Sequence, residues 1–260
     1  MKKAVFFDID GTLWDDHGII PDSTKTAIRL LQEREIYTFI CTGRVKSQLH
    51  FPVLHELGFD GIVGGCGTYV SLGEKEIFYR SIAPKRIRHT FEVLKKYRVP
   101  VVLEGKNNLY VTGEYFVDDA SRSRLKMIAG EHFHSVVDYD MAWEISKFNI
   151  PVHNDNVKRA VAELSDWYDF LVHENVMVEG VPKGFSKASG IRFVCRQLGI
   201  SRKDTYAFGD SANDIDMLEY VAHGIAMGNG QDKAKQAADY ITTDIHDDGI
   251  YHACRYFSLI

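Results

Sequence analysis

Residues 4–13 read AVFFDIDGTL, an apolar run that ends in two aspartates, a glycine and a threonine. The apolar part predicts a buried strand, and open parallel sheets place their active sites just beyond the carboxyl ends of such strands. Side chains two residues apart on extended chain point the same way, about 6 to 7 Å from each other, so Asp8 and Asp10 can face one substrate. Gly11 permits a sharp turn after them.

Two carboxylates held this close together would repel a bound anion unless a cation lies between them. A site made of oxygen ligands is typical of Mg²⁺. The residues alone leave a second interpretation open, in which Asp10, Gly11 and Thr12 form an ordinary turn after a solvated strand end.

A second acidic segment, GDSANDIDML, spans residues 209–218 and also follows an apolar run. Asp210 and Asp214 are therefore candidates to complete the shell of ligands around a metal. Acids also favour helix starts as simple caps, which is the competing explanation for this segment. The presence of two acidic strand ends in one predicted sheet favours the metal site.

Two further segments supply candidate phosphate ligands. Thr42 and Gly43 offer a hydroxyl and a backbone N–H in front of a helix predicted over residues 44–57, and helix N-termini favour anions. Lys187 follows Ser186 at the start of another predicted helix and could bring a positive charge to a phosphoryl group. Lys183 is the alternative, but it falls in a linker predicted over residues 180–184.

Strand-like and helix-like stretches alternate at both ends of the chain, which predicts a parallel sheet covered by helices. The middle of the chain has short strands and amphipathic helices without that alternation. The predicted fold class is α/β, with a Rossmann-like parallel sheet core that has helices on both faces, plus an inserted α+β cap domain. The core would comprise residues 1–82 and 183–260, and the insert would comprise residues 83–182.

The four chemical segments, in this order, resemble the haloacid dehalogenase superfamily. The DxDGT at Asp8, the Thr-Gly-Arg at Thr42, the lysine at Lys187 and the GDxxND at Asp210 are similar to motifs one to four of its phosphatases. The position of the insert, between the second and third motifs, resembles the C2B cap of the Cof-type subgroup. That subgroup mostly dephosphorylates sugar phosphates and related metabolites.

The resemblance implies a role for each matching residue. Asp8 would be the nucleophile and a metal ligand, and Asp10 would be the general acid and base as well as a metal ligand through its carbonyl. The remaining roles are metal binding by Asp210 and Asp214, and phosphate binding by Thr42, Gly43, Lys187 and Asn213. The implied cofactor is Mg²⁺. The cap would close over the leaving group. The candidates for contacts between cap and substrate, which the sequence alone does not rank, are Arg122, Arg124, Tyr139 and Glu179.

This chain departs from the family near the third strand, where the usual asparagine is replaced by Cys66. A small buried cysteine is favoured there over a reactive thiol, because no base adjoins it in sequence. Asn229, in a later loop that also resembles the family, is open to two interpretations, as a contact with substrate or cap and as a turn former.

Composition excludes several classes of protein. Lys and Arg number 31 against 36 Asp and Glu, so the net charge of −5 argues against general binding of nucleic acid or anionic membrane. The four cysteines form no CxxC pair, and no apolar run approaches membrane-spanning length. Neither a glycine fingerprint nor a GxxxxGK[ST] loop for nucleotides is present. We expect a cytoplasmic monomer or homodimer whose partner is a small phosphorylated metabolite.

The expected function is a Mg²⁺-dependent phosphatase that hydrolyses phosphate monoesters of small metabolites, sugar phosphates above all, through an aspartyl-phosphate. Two alternatives remain at this point, a phosphosugar mutase that uses the same aspartate and a phosphate-binding regulator without turnover. A regulator should lack a member of the motif set, and the sequence retains them all.

Overall fold

The computed structural model describes residues 2–112, 119–140, 142–151, 155–173 and 177–260. The chain divides into two compact units. Unit 1 comprises Met1–Gly43, Phe51–Phe78 and Ser186–Ile260, and unit 2 comprises Arg44–His50 and Tyr79–Phe185. Each segment of unit 2 is thus flanked in sequence by segments of unit 1.

The strands in chain order are β1 (Ala4–Phe7), β2 (Tyr37–Cys41), β3 (Gly61–Gly64), β4 (Tyr69–Leu72), β5 (Lys75–Tyr79), β6 (Val102–Gly105), β7 (Leu109–Thr112), β8 (Phe133–Val136), β9 (Ile145–Pro151), β10 (Tyr168–His173), β11 (Met177–Pro182), β12 (Thr205–Gly209), β13 (His223–Ala226) and β14 (Tyr240–Ile241). The helices are α1 (Asp22–Glu33), α2 (Pro52–Glu56), α3 (Pro84–Lys96), α4 (Asp119–Ala129), α5 (Asp155–Leu164), α6 (Lys187–Leu198), α7 (Ile215–Tyr220), α8 (Asp232–Ala237) and α9 (Gly249–Tyr256).

Unit 1 is built on an eight-stranded sheet with the order β14-β13-β12-β1-β2-β3-β4-β5. The pairs from β14 to β3 are parallel, and β4 runs antiparallel to β3. Ala4 and Phe6 pack with residues of α6 and α7, whereas α1 and α9 pack against each other. Strand β1 is buried along its whole length, which is why its sequence is apolar without alternation.

Unit 2 contains a six-stranded sheet with the order β10-β11-β9-β6-β7-β8. Its strands pair antiparallel except for β7 and β8. One face of this sheet, with Leu103, Phe148 and Ile150, packs against apolar residues of α3 and α5. Both sheets with their helices agree with the predicted fold class, an α/β core with an inserted α+β unit.

Two predicted elements are wrong. No helix spans residues 44–57, because a single 3₁₀ turn at Lys46–Gln48 is followed by a loop, and Pro52, which has no N–H to donate, starts the short α2. The linker predicted over residues 180–184 is mostly strand. Gly180 lies in β11 against the ring of Phe148, where an added Cβ would be 2.3 Å from a ring carbon.

Other predictions fall at the edge of what the structure describes. The predicted beginning of α4 near Phe116, the predicted end of β9 at Val152 and the predicted start of β11 at Val176 lie outside the described residues. The short elements β4, β5, β8, β14, α8 and α9 were not predicted, since elements of this length carry little periodic signal.

Candidate active site

The site forms where β1 and β12 end side by side. These strands are parallel neighbours with Phe7 opposite Phe208, and the N–H of Asp8 donates to the carbonyl of Phe208 at 3.0 Å. The residues directly after the two strands, Asp8 and Asp210, therefore meet at one edge of the sheet. Asp8 is buried, with 4% of its surface exposed.

Three carboxylates converge at this edge. Oxygens of Asp8, Asp210 and Asp214 all lie within 4.8 Å of one another. Asp214 is fully buried at the start of α7, and its Oδ2 accepts the N–H groups of Asp210 and Ser211, both at 2.9 Å. Thr12 donates its hydroxyl to Asp210 Oδ1 at 2.8 Å. These hydrogen bonds fix the carboxylates of Asp210 and Asp214 before any ligand arrives.

Lys187 lies between two of these carboxylates. Its Nζ donates to Asp8 Oδ1 at 2.7 Å and to Asp214 Oδ1 at 2.6 Å, and its side chain is fully buried. Ser186 caps α6 by accepting the N–H of Ser189, which fixes the start of the helix from which Lys187 projects. Lys183, the alternative from sequence, is exposed on the turn after β11.

The electrostatics of the group reflect an excess of negative charge. Burial, and next the carboxylate of Asp214, raise the pKa of Asp8 well above its usual value, although Lys187 acts in the opposite direction. Burial, and next Asp214, raise the pKa of Asp210 to about 7. For Lys187, burial lowers the pKa, but Asp214 and Asp8 outweigh it and the net direction is strongly upward.

The chemistry of these donors fits a hard divalent cation. All three side chains offer oxygen, and one buried ammonium does not balance three carboxylates. A further positive charge would relieve the repulsion that, after burial, raises the pKa values of Asp8 and Asp210. Asp8, Asp210 and Asp214 are the side chains able to hold it. The carboxylate of Asp10 does not belong to this group of three.

Asp10 is exposed and is oriented by a neighbour that the sequence did not identify. Its Oδ1 accepts the indole N–H of Trp14 at 3.0 Å, and the N–H of Gly11 donates to the carbonyl of Trp14 at 3.0 Å. Trp14 in turn packs edge-on against Phe51, with ring centroids 4.9 Å apart. The only signal in the sequence was the spacing of four residues between Asp10 and the tryptophan, which suits a tight turn.

Gly11 and Asn229 hold this turn in place. Gly11 has φ +80°, and an added Cβ would lie 2.5 Å from Asp210 Oδ2, so both conformation and space require glycine. Asn229 donates from Nδ2 to the carbonyl of Gly11 at 2.7 Å and accepts the N–H of Ile245 on Oδ1 at 2.9 Å. Asn229 therefore joins the first loop of the site to a later one.

The other predicted phosphate ligands are placed as follows. Thr42 is buried directly after β2, where its N–H donates to Val63 and its carbonyl accepts from Cys66. No regular helix begins at Arg44, so the helix N-terminus that was predicted directly after Gly43 is absent. The backbone there forms a loop. Oδ1 of Asn213 accepts the hydroxyl of Ser211 at 2.8 Å and lies 3.4 Å from Lys187 Nζ.

Cys66 has a left-handed backbone conformation, with φ 52° and ψ 46°, and is buried. Asparagine enters this region more readily than most residues, which gives a conformational reason for the family's asparagine at this place. In this chain a cysteine occupies the same strained conformation.

The profile of the haloacid dehalogenase-like hydrolase family matches residues 5–254. YkrA of Bacillus subtilis (strain 168) is 30% identical over 273 residues, covering all of this chain and 99% of that protein. YcsE of the same organism, named a 5-amino-6-(5-phospho-D-ribitylamino)uracil phosphatase, is 26% identical over 262 residues, covering 99% of this chain and 96% of that protein. The structure of BT4131, described as a HAD subclass IIB sugar phosphatase, is similar over all of both chains, with 28% identity and a TM-score of 0.85.

Among the residues described, no helix has both the length and the apolar composition needed to cross a membrane.

Proposed function

The chain belongs to the haloacid dehalogenase-like hydrolase family, and from this premise we propose that it is a Mg²⁺-dependent phosphatase for sugar phosphates and similar monoesters, acting through an aspartyl-phosphate on Asp8. YcsE and BT4131 are named as phosphatases of small phosphorylated molecules, and the chain is an enzyme of the phosphatase class. The observation that carries the proposal is the position of Lys187 Nζ between Asp8 and Asp214, inside a group of three converging carboxylates.

In the first half-reaction an Oδ of Asp8 attacks the phosphorus atom. The bond from phosphorus to the leaving-group oxygen breaks, and that oxygen takes the proton of Asp10, so the dephosphorylated alcohol departs. Lys187 holds the attacking carboxylate in one orientation and offsets the negative charge that the phosphoryl oxygens bring to it. Thr42, Gly43 and Asn213 would bind the phosphoryl oxygens.

In the second half-reaction a water oxygen attacks the phosphorus of the aspartyl-phosphate. Asp10 takes the proton of that water, the bond from phosphorus to the Asp8 oxygen breaks, and inorganic phosphate leaves. Asp10 then carries a proton again and Asp8 is regenerated. The hydrogen bond from Trp14 keeps the Asp10 carboxylate at a fixed place through both steps.

When bound by Asp8, Asp210 and Asp214, a divalent cation would supply charge neutralisation for the phosphoryl group. The carbonyl of Asp10 is proposed as a further ligand from its position in the motif. Mg²⁺ suits such a set because it takes oxygen ligands and retains several waters.

The nature of the relatives supports a metabolite as substrate. YcsE is named for a phosphorylated ribitylaminouracil, and BT4131 is described as a sugar phosphatase. We propose phosphorylated sugars and sugar alcohols as substrates, with unit 2 acting as the cap.

The test is phosphate release from sugar phosphates, nucleotides, cofactor phosphates and p-nitrophenyl phosphate, with Mg²⁺ and with EDTA. Asp8→Asn should abolish release, and Asp16→Asn, an equal change at an exposed position in the same loop, should not. Turnover by Asp8→Asn at the wild-type rate would refute the nucleophile. Sugar phosphate isomers without free phosphate would indicate a mutase, and binding without any reaction would indicate a regulator.

A further inference from the structure

Unit 2 contains a pocket that is formed largely by residues near the two ends of its segment Tyr79–Phe185, and we call it the cationic pocket. Its volume is about 390 Å³, within the range of about 300 to 1,000 Å³ that small-molecule sites occupy. The side chains that give the pocket its chemical character are Arg80, Arg86, Asp166, Trp167, Lys183 and Phe185. All of them belong to unit 2, whereas the three converging carboxylates of the active site belong to unit 1.

Positive charge predominates in the wall of the cationic pocket. Arg80, Arg86 and Lys183 line it together with one acidic side chain, Asp166. Within the part of the chain that the structure describes, neither arginine forms an ion pair with an acidic side chain. The whole chain has a net charge of −5, so this local excess of positive charge runs against the overall balance. Arginines that the protein itself does not neutralise are suited to hold an anion.

Beside these charges, the pocket presents aromatic surface. The guanidinium carbon of Arg86 lies 5.7 Å from the centroid of the Trp167 ring, within the range of a cation–π contact. The imidazole of His89 meets the same indole edge-on, with ring centroids 4.9 Å apart, and Phe185 contributes a further ring to the wall. An indole next to a guanidinium is a surface on which the planar ring of a ligand can stack.

Backbone hydrogen bonds hold the wall of the pocket in place without a ligand. The N–H of Lys183 donates to the carbonyl of Trp167 at 3.0 Å, which ties the turn after β11 to the residue before β10. The N–H of Ile82 donates to the carbonyl of Ile145 at 2.7 Å and anchors the segment that carries Arg80. A pocket whose backbone is ordered in advance loses little conformational entropy when a ligand enters.

We propose that the cationic pocket binds a small phosphate ester that carries a planar ring, of the size of a nucleoside monophosphate. The guanidinium groups of Arg80 and Arg86 would donate to the phosphoryl oxygens, and the ring would stack against Trp167. Asp166 would accept from hydroxyl or amino groups of the ligand. This binding uses neither Asp8 nor a metal, so it is separate from the proposed phosphatase reaction.

Three probes separate the parts of such a ligand. AMP carries both a phosphate and a planar ring, ribose 5-phosphate lacks the purine, and adenosine lacks the phosphate. Each is titrated calorimetrically into the full chain in EDTA, so that metal-dependent turnover does not consume the phosphate esters. We expect AMP to bind at least about tenfold more tightly than either fragment, because each fragment loses one of the two sets of contacts. Added salt should weaken the binding of AMP.

The place of binding is read from fluorine NMR of protein labelled with 5-fluorotryptophan. The chain has three tryptophans, Trp14, Trp143 and Trp167, and replacing each by phenylalanine in turn assigns the three signals. AMP should shift the signal of Trp167. It should leave the signal of Trp14, whose indole donates to Asp10 in the active site, unchanged.

Two variants and a matched control test the residues of the pocket. Arg86→Gln removes the charge and the fork of donors, and should weaken AMP binding at least about tenfold. Arg88→Gln makes the same change at an exposed position on the same helix, outside the pocket wall, and should leave AMP binding unchanged. Trp167→Leu should reduce the affinity for AMP to that for ribose 5-phosphate, with the folding of the variant checked by a cooperative thermal transition.

Absence of AMP binding, or binding of AMP no tighter than that of ribose 5-phosphate or adenosine, would overturn the proposal. A shift of the Trp14 signal without one of Trp167 would do the same. Equal losses in Arg86→Gln and Arg88→Gln would also overturn it, because the attraction would then be a general effect of charge. Since binding is measured without turnover, an inactive phosphatase would refute the proposed function and leave this inference standing.

Discussion

Replacing Asp210 by asparagine should stabilise the metal-free protein and at the same time remove its response to Mg²⁺. Asp210 lies among carboxylates within 4.8 Å and shares their repulsion. Asparagine keeps an oxygen that can accept the hydroxyl of Thr12, as Asp210 Oδ1 does at 2.8 Å. The substitution therefore removes a charge from the site and preserves its shape.

The magnitude follows from the pKa of Asp210, which burial and then Asp214 raise to about 7. An aspartate in the unfolded chain has a pKa near 3.9, which is lower than the pKa of Asp210 in the fold, so ionisation of Asp210 destabilises the folded state. This destabilisation is absent at low pH and grows between about pH 4 and 7. At about 1.4 kcal/mol per pH unit the full effect would be about 4 kcal/mol. Because Asp210 is partly exposed and solvent screens part of the repulsion, we expect about half of this, which raises Tm by roughly 5 °C.

The assay is thermal unfolding of wild type, Asp210→Asn and the exposed control Asp16→Asn, each in EDTA and in excess Mg²⁺ at a pH of about 8. In EDTA the Asp210 variant should melt above wild type, and at low pH this difference should vanish. In Mg²⁺ wild type should gain stability and the variant should gain much less, with a matching loss of phosphatase activity. A variant that melts below wild type in EDTA, or gains as much from Mg²⁺, would refute the reasoning.

Three further outcomes are expected. Lys187→Met should lower kcat on the order of a hundredfold or more and destabilise the fold by about 3 kcal/mol. Lys183→Met should resemble wild type in steady-state kinetics and denaturant unfolding. Equal effects of the two substitutions would disprove the choice of Lys187 over Lys183. Gly11→Ala should lower Tm and activity more than Gly18→Ala, because both glycines have positive φ but, of the two, only Gly11 lacks room for a methyl group. Equal losses of Tm for the two variants in thermal scans would contradict this reasoning. Asn229→Ala should cost about 1 to 3 kcal/mol by urea unfolding, because it leaves the Gly11 carbonyl without its donor, and an unchanged midpoint would speak against that role.

The fold class followed from the sequence because strands buried on both faces are continuous apolar runs. Strand β1 is such a run, and the strands and helices that alternate at both ends of the chain indicated a parallel sheet. Prediction failed where tertiary packing determined the local structure. Gly180 looked like part of a linker, but it lies in β11 opposite Phe148, and glycine is needed there because the Phe148 ring fills the space that a side chain would occupy.

The sequence by itself determined which residues end the strands of the core, since an apolar run followed by acids is a local pattern. That is how Asp8, Asp10, Asp210 and Asp214 could be named as candidates. Only the tertiary structure decided that β1 lies beside β12, and that Lys187 reaches between two of those acids. Such contacts join segments far apart in the chain, and they depend on strand order, register and burial. The same holds for a buried polar group of unit 2, whose members come from four strands with a pairing that no local pattern specifies: Glu104, Lys147, Asn149, His173 and Glu179.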